Sequence, residues 1–280
     1  MDKKIQFPFG EVNIPLEEGG GNVYYAIQAT EAYYDTFVAE HQTAYEDGSV
    51  SIHNTIQDAI DATTIVRDDV VIVIGEWDIT TPILLNKYGV TLMGLSGDSQ
   101  MGGKNSKITS TVAADSVITM SAARTAIENI MLFMNGTGLT SGIRIHGGSQ
   151  LRIRNVCIVK NDGTDNSGYG INITAAPTWS LFENIKITGK INNTLRLQRG
   201  ISGASYNCIY RNILVSNTEG QGLYIPTSGG DLFENIVLAP TVTTGLEITG
   251  TGSMLVNCRN MAATEGVSTA IKSGCITIDT

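Results

Sequence analysis

Two short phrases of apolar and polar positions alternate along the second half of the chain. The first runs apolar, charged, Asn, then apolar-x-apolar. It reads Ile-Glu-Asn-Ile-Met-Leu (127–132), Ile-Arg-Asn-Val-Cys-Ile (153–158), Phe-Glu-Asn-Ile-Lys-Ile (182–187), Tyr-Arg-Asn-Ile-Leu-Val (210–215) and Phe-Glu-Asn-Ile-Val-Leu (233–238), with a decayed copy at 255–260. The second is Gly-apolar-x-apolar: Gly-Ile-Arg-Ile (142–145), Gly-Ile-Asn-Ile (170–173), Gly-Leu-Tyr-Ile (222–225) and Gly-Leu-Glu-Ile (245–248), with Gly200-Ile201 a weaker copy. The two-residue alternation in both predicts strands. Successive Asn residues (Asn129, Asn155, Asn184, Asn212, Asn235 and Asn257) are 26, 29, 28, 23 and 22 residues apart, enough for one turn of a coil with three short strands.

Parity locates a bend. Strict alternation through Phe182-Glu183-Asn184-Ile185 would send Phe182 and Ile185 to opposite faces, so the phase must change at Asn. Asn tolerates the left-handed region, and a bend there turns both apolar residues inward. The six Asn residues are therefore expected to stack as a structural ladder of amides. The residue before each runs Glu128, Arg154, Glu183, Arg211, Glu234, Val256. Alternating sign at a rung spacing of about 4.8 Å predicts that each charge faces an opposite one above and below, so these carboxylates read as structural.

Toward the N-terminus the pattern is less regular. Asn54-Thr-Ile-Gln-Asp-Ala-Ile-Asp-Ala-Thr is followed by Val70-Val-Ile-Val-Ile-Gly-Glu-Trp-Asp-Ile and Gly89-Val-Thr-Leu-Met-Gly-Leu-Ser-Gly. This run resembles the start of pectin-lyase-like parallel β-helix proteins, over roughly residues 50–280. The resemblance implies an all-β, right-handed, single-stranded parallel β-helix. Its first rung would be capped by a short amphipathic helix with Ile56, Ala59 and Ile60 as the apolar face. The family spans polysaccharide lyases, glycoside hydrolases and viral spike and decoration proteins. Its viral members imply self-association as a homotrimer.

Residues 1–50 read as a separate N-terminal arm, and 51–280 as the β-helix. Pro8, Pro15 and Gly19-Gly-Gly preclude one regular element in the first 22 residues. From Asn22 to Asp47 the spacing of Ile27, Tyr34 and His41 with Thr30, Phe37 and Ala44 predicts a helix, packed either across a trimer or on its own β-helix. Phe7, Phe9, Tyr24, Tyr25, Tyr33, Tyr34 and Phe37 give the arm aromatic surface suited to docking, which a particle such as a capsid or tail would use.

Loop lengths mark a working face. From each Gly phrase to the next Asn the spacing is nearly constant, at 13, 14, 12, 13 and 12 residues. From the apolar end of the Asn phrase to the next Gly it is 10, 12, 13, 7 and 7. Three consecutive rungs thus extend loops at one corner, and these carry Asp162, Asp165, Tyr169, Lys190, Arg196 and Arg199 as candidate glycan-contact residues. Two acidic residues beside cations could also imitate a lyase site.

Charged residues make up 16% of the chain, below the roughly 25% of ordinary domains, while Gly numbers 31, a balance that suits short strands and tight turns. The net charge of −9 excludes a phosphate backbone as partner. No apolar run approaches the ~20 residues of a membrane span, and no apolar segment follows the basic start as in a signal peptide. Synthesis in a host cytoplasm is expected. Cys157, Cys208, Cys258 and Cys275 lack metal-ligand spacing, His41, His53 and His146 match no catalytic arrangement, and Asp68-Asp69 falls in the turn after the cap helix. Neither a metal nor a cofactor is expected. The leading expectation is a non-catalytic structural component of a bacteriophage virion, either head decoration or tail-spike-like attachment. Its rivals are a lyase or hydrolase acting on acidic glycans and a glycan-binding module without turnover.

Overall fold

Each of the six repeated Asn residues stands at a positive φ, between 51° and 58°, so the bend inferred from parity is where the backbone turns. The computed structural model describes residues 3–7, 10–14, 21–30, 34–40, 51–65, 68–95, 106–113, 115–136, 138–160, 168–189, 197–239, 241–262, 271–273 and 276–277. They form an all-β solenoid of about seven turns, in which nearly all pairing is parallel and joins one turn to the next.

Three stacks of strands make its walls. The pre-Asn and post-Asn stacks meet at the Asn bend and belong to one 15-stranded sheet; the Gly phrases form an 8-stranded sheet. Along the bend, the side-chain amides of Asn155, Asn184, Asn212 and Asn235 each donate to the Asn Oδ1 of the preceding rung at 2.9–3.0 Å. Inward residues fill the interior: the Phe182, Tyr210 and Phe233 rings stack at 4.6 and 4.8 Å, one per rung. The Gly of the second phrase is required by close approach. A Cβ on Gly170 would lie 2.4 Å from Ile187 Cγ2 and 2.7 Å from the Gly200 carbonyl oxygen.

A second left-handed column closes the opposite corner, between the Gly stack and the pre-Asn stack. Asp68, Gly89, Arg124, Gln150, Trp179, Asn207, Gly230 and Gly252 all have φ between 54° and 78°. Each lies two residues ahead of Val70, Thr91, Ala126, Arg152, Leu181, Ile209, Leu232 and Met254, which pair in direct register from turn to turn. The residue after the bend is buried and often serves the backbone of the turn before. Ser180 Oγ accepts from Leu151 N–H at 2.9 Å, Asp231 Oδ1 from Cys208 N–H at 2.7 Å, and Ser253 Oγ from Asp231 N–H at 3.2 Å. These bonds satisfy donors that a bend would otherwise leave buried and unpaired.

Along the charge row, Glu183 lies 3.2 Å from Arg154 and 3.7 Å from Arg211, and Arg211 lies 2.7 Å from Glu234. Glu128 departs from the expected order. Its carboxylate pairs with Arg152, the residue opposite Ala126, and no ion pair joins it to Arg154 among the described residues.

The N-terminal fifty residues are arranged differently from the sequence expectation. β1 (Lys3–Phe7) and β2 (Gly10–Ile14) form an antiparallel pair. The helix expected from Asn22 to Asp47 is corrected. Val23–Ile27 is a strand, β3, pairing in parallel with β4 (Ser51–His53) and with Val70–Ile74 at the start of β5 (Val70–Ile79). Among the described residues the stack therefore begins at Val23, ahead of the boundary expected at residue 50. The only helix described within that range is α1 (Tyr34–Glu40).

The physical reason lies in double burial. Tyr24, Ala26, Val71 and Val73 face the interior, while Val23, Tyr25, Ile27, Val70, Ile72, Ile74 and Met93 form a second cluster outside the wall, roofed by Phe37 of α1 with Tyr34 against it. A strand covered on both faces loses its alternation, and its apolar run then matches a helical spacing by accident. The docking role given to Tyr24, Tyr25 and Phe37 falls with it, because all three are buried within this chain and Tyr25 meets Phe37 edge-on at 5.0 Å. Tyr34 is half-buried; Phe9 and Tyr33 lie outside the described residues, as does the side chain of Phe7.

The cap helix α2 (Ile56–Ala62) starts at Thr55, whose side chain accepts from Asp58 N–H at 3.0 Å. It buries Ile56, Ala59 and Ile60 in the interior cluster.

Candidate functional site

The outer surface of the Gly stack carries the polar chemistry nearest the long-loop corner. In Gly-apolar-x-apolar the two apolar residues face inward, so x faces outward. In register, turn by turn, the x positions are Thr119, Arg144, Asn172, Ser202, Tyr224 and Glu247. The residue before each Gly forms a neighbouring column: Ser141 pairs with Tyr169, Tyr169 with Arg199, and Gln221 with Thr244.

These two columns are cross-linked around Arg199. Its guanidinium lies over the Tyr224 ring, 4.0 Å from the centroid. Its Nε donates to Gln221 Oε1 at 2.8 Å and its Nη1 to Ser202 Oγ at 3.2 Å. Gln221 in turn donates from Nε2 to Glu247 Oε2 at 3.0 Å. One turn-to-turn chain thus runs from Ser202 through Arg199 and Gln221 to Glu247, with a half-exposed aromatic ring beneath its cation. Arg144 approaches Asp115 at 4.0 Å, and His146 Nδ1 meets Thr174 Oγ1 at 3.1 Å nearer the opposite corner. Strands hold these side chains more rigidly than loops would, which favours a preformed contact surface.

Of the six residues expected on the working face, Tyr169 and Arg199 are adjacent in register on this surface. Asp162, Asp165, Lys190 and Arg196 fall outside the described residues. Sequence reasoning missed Arg144, Asn172, Gln221, Tyr224 and Glu247. The signal was present for four of them, since Arg144, Asn172, Tyr224 and Glu247 are the x of the Gly phrase, read there only as alternation.

The groups whose acidity the fold changes lie elsewhere. Burial pushes the Tyr25 and Tyr210 phenols and the Cys157 thiol up, and raises Cys208 to about 11. Desolvation lowers His53, opposed by the charge of Asp58. All lie in the core or by the cap helix, and none belongs to the Gly-stack surface. The thiols of Cys157, Cys208 and Cys258 are buried, and none forms a disulfide. Among the described residues, no three metal-ligating side chains come together and no helix is long and apolar enough to cross a membrane.

Comparison with solved structures finds distant similarities. A pectin methylesterase crystallised with a hexasaccharide is similar at 12% identity and a TM-score of 0.48, over 88% of this chain and 80% of that one. A PL6 family alginate lyase, AlyGC, is similar at 12% identity and a TM-score of 0.45. The match takes in 97% of this chain but 41% of the lyase. No family model and no curated protein matches the sequence.

Proposed function

We propose that this chain is a glycan-binding β-solenoid that holds an extended polysaccharide along the outer surface of its Gly stack, without turning it over. The observation that carries the reading is the cross-linked platform of Arg199, Tyr224, Gln221 and Glu247. A flat ring, a cation and an amide–carboxylate pair, set on successive turns, suit a chain of hydroxyl-bearing rings. Turnover has less support. The Glu side chains of the pre-Asn row are matched to Arg, and the described part of the platform places no two carboxylates across a site where a glycosidic bond would lie. The coil is taken as right-handed, as parallel crossover connections are in about 98% of cases. A particle-borne setting finds no docking surface in Tyr24, Tyr25 and Phe37, which lie inside this chain's own core.

Incubating the purified protein with acidic and neutral polysaccharides, with and without calcium, tests this reading. Retention without new reducing ends or unsaturated products is expected. Arg199→Ala and Tyr224→Ala should weaken retention by about tenfold or more, the scale of a lost charge-assisted hydrogen bond. Release of products would replace the binding reading with a lyase or hydrolase.

A further inference from the structure

The left-handed corner opposite the Asn ladder is occupied unevenly. Five of its eight stacked positions hold Asp, Gly, Asn, Gly and Gly, residues that accept a positive φ readily. The remaining three are consecutive: Arg124 at φ 55°, Gln150 at 57° and Trp179 at 55°. Large side chains are disfavoured in this region, yet here they occupy three turns in succession and all three are exposed. Trp179, at 69% exposure, is the most exposed large apolar residue described.

Beside them lies a groove of about 470 Å³, lined by Asp68, Thr91, Arg124, Gln150 and Arg152 among others. Its charges are balanced. Arg124 is 3.4 Å from Asp68, with its guanidinium 5.5 Å from the centre of the Tyr88 ring, and Arg152 is paired with Glu128. Gln150 adds an uncharged amide. Each guanidinium along the groove is therefore matched by a carboxylate, and an exposed indole continues the line one turn further on.

We infer that the Arg124–Gln150–Trp179 corner is a second glycan-binding strip, specific for neutral, hydroxyl-rich sugar units. Paired guanidinium, carboxyl and amide groups recognise hydroxyls, which both donate and accept, whereas a uronate would meet an opposing carboxylate beside each cation. The indole face offers a surface for the apolar face of a sugar ring. The inference rests on the glycan-binding reading above but concerns a different surface, across the rung from the Arg199 platform.

The test exploits the tryptophan content. Of the two tryptophans, Trp77 is buried, so a ligand-induced change in indole emission reports on Trp179. The full chain is titrated with neutral hexasaccharides of differing linkage and with an oligogalacturonate of equal length, followed by emission and by calorimetry. At least one neutral hexasaccharide should change the emission saturably, bind more tightly than the oligogalacturonate and show little response to salt. Arg124→Gly with Gln150→Gly leaves the reporter in place and relieves the backbone. It should weaken neutral binding by about tenfold or more while the melting temperature holds or rises. Unchanged affinity in that double variant, or tighter binding of the oligogalacturonate at this corner, overturns the inference. Loss of binding in Arg199→Ala and Tyr224→Ala alone leaves the platform standing and removes the corner strip. Loss in the corner variant alone does the reverse, and no binding by the parent protein removes both.

Discussion

Two corners of the same turn hold the backbone at nearly the same φ and fill it in opposite ways. At one, six turns in succession use Asn, and the amides from Asn129 to Asn235 bond to one another along the stack. At the other, eight stacked positions hold Asp, Gly, Arg, Gln, Trp and Asn, and the hydrogen bonding passes to the next residue, where Ser180, Asp231 and Ser253 accept backbone donors. The difference shows that a bend needs only two things, a tolerated φ and a partner for the orphaned polar groups. Where one residue type supplies both, sequence uniformity follows. Where the partner comes from a neighbouring position, the bend residue itself is released to vary.

The largest effect should come from removing the partner at the variable corner. Asp231 is 1% exposed and accepts from Ser205 Oγ at 2.9 Å, Ser228 Oγ at 2.7 Å and Cys208 N–H at 2.7 Å. Asp231→Ala leaves the Cys208 N–H and the Ser205 hydroxyl without this acceptor in the interior, while Ser228 Oγ keeps Ser253 Oγ as a partner. Since each unsatisfied buried group costs about 1–3 kcal/mol, a loss of about 3 kcal/mol is expected, seen as a fall in the urea midpoint with an unchanged slope. Stability within about 0.5 kcal/mol of the parent, the scatter of neutral surface substitutions, would show that the variable corner does not depend on its inner column.

Removing the amide at the uniform corner should cost somewhat less. Asn184 donates to Asn155 and accepts from Asn212, at 3.0 and 2.9 Å, and is half-exposed, so water can replace part of what is lost. Asn184→Ala gives up two hydrogen bonds and places a Cβ-bearing residue without local compensation at φ 54°, together about 2 kcal/mol. Asn184→Gly keeps the backbone and gives up only the amide, about 1 kcal/mol. The gap between the two melting curves separates backbone preference from ladder bonding. Equal losses would mean that the ladder bonds alone stabilise this corner.

This contrast also explains how much of the molecule could be read in advance. The Asn bends and the inward Phe182, Tyr210 and Phe233 were legible because each rests on a local repeat, and the cap helix followed from the family resemblance and the apolar face of Ile56, Ala59 and Ile60. The second corner was not, because nothing in Arg124, Gln150, Trp179 and Asn207 shares a chemistry; they share only a place two residues before a strand. Val23–Ile27 was misread because burial on both faces erases the alternation that marks a strand. The Gly phrase was recognised without its cause, since the approach of Ile187 to Gly170 joins residues on different walls. Of the candidate platform, Arg199 and Tyr169 were found through loop length, while Tyr224 and Glu247 were hidden in the same alternation that revealed the strand.

The smallest effect expected has the opposite sign, and it bears most directly on the comparison. Trp179 stands at φ 55° with 69% of its surface exposed, so it contributes little burial in return for its backbone conformation. Its backbone N–H still bonds the Tyr206 carbonyl at 3.2 Å, a contact that any residue other than proline preserves. Gly removes the conformational cost, which is about 1–2 kcal/mol for an L-residue in this region, but adds entropy to the unfolded chain worth about 0.4–1 kcal/mol. The balance for Trp179→Gly is a gain of about 0.5 kcal/mol, measured as a small rise in melting temperature. At Asn184 the same substitution lowers stability, because there the side chain is part of the stack. A loss at Trp179 as large as that at Asn184 would mean that the indole is held by its own neighbours, and the two corners would then differ in composition but not in kind.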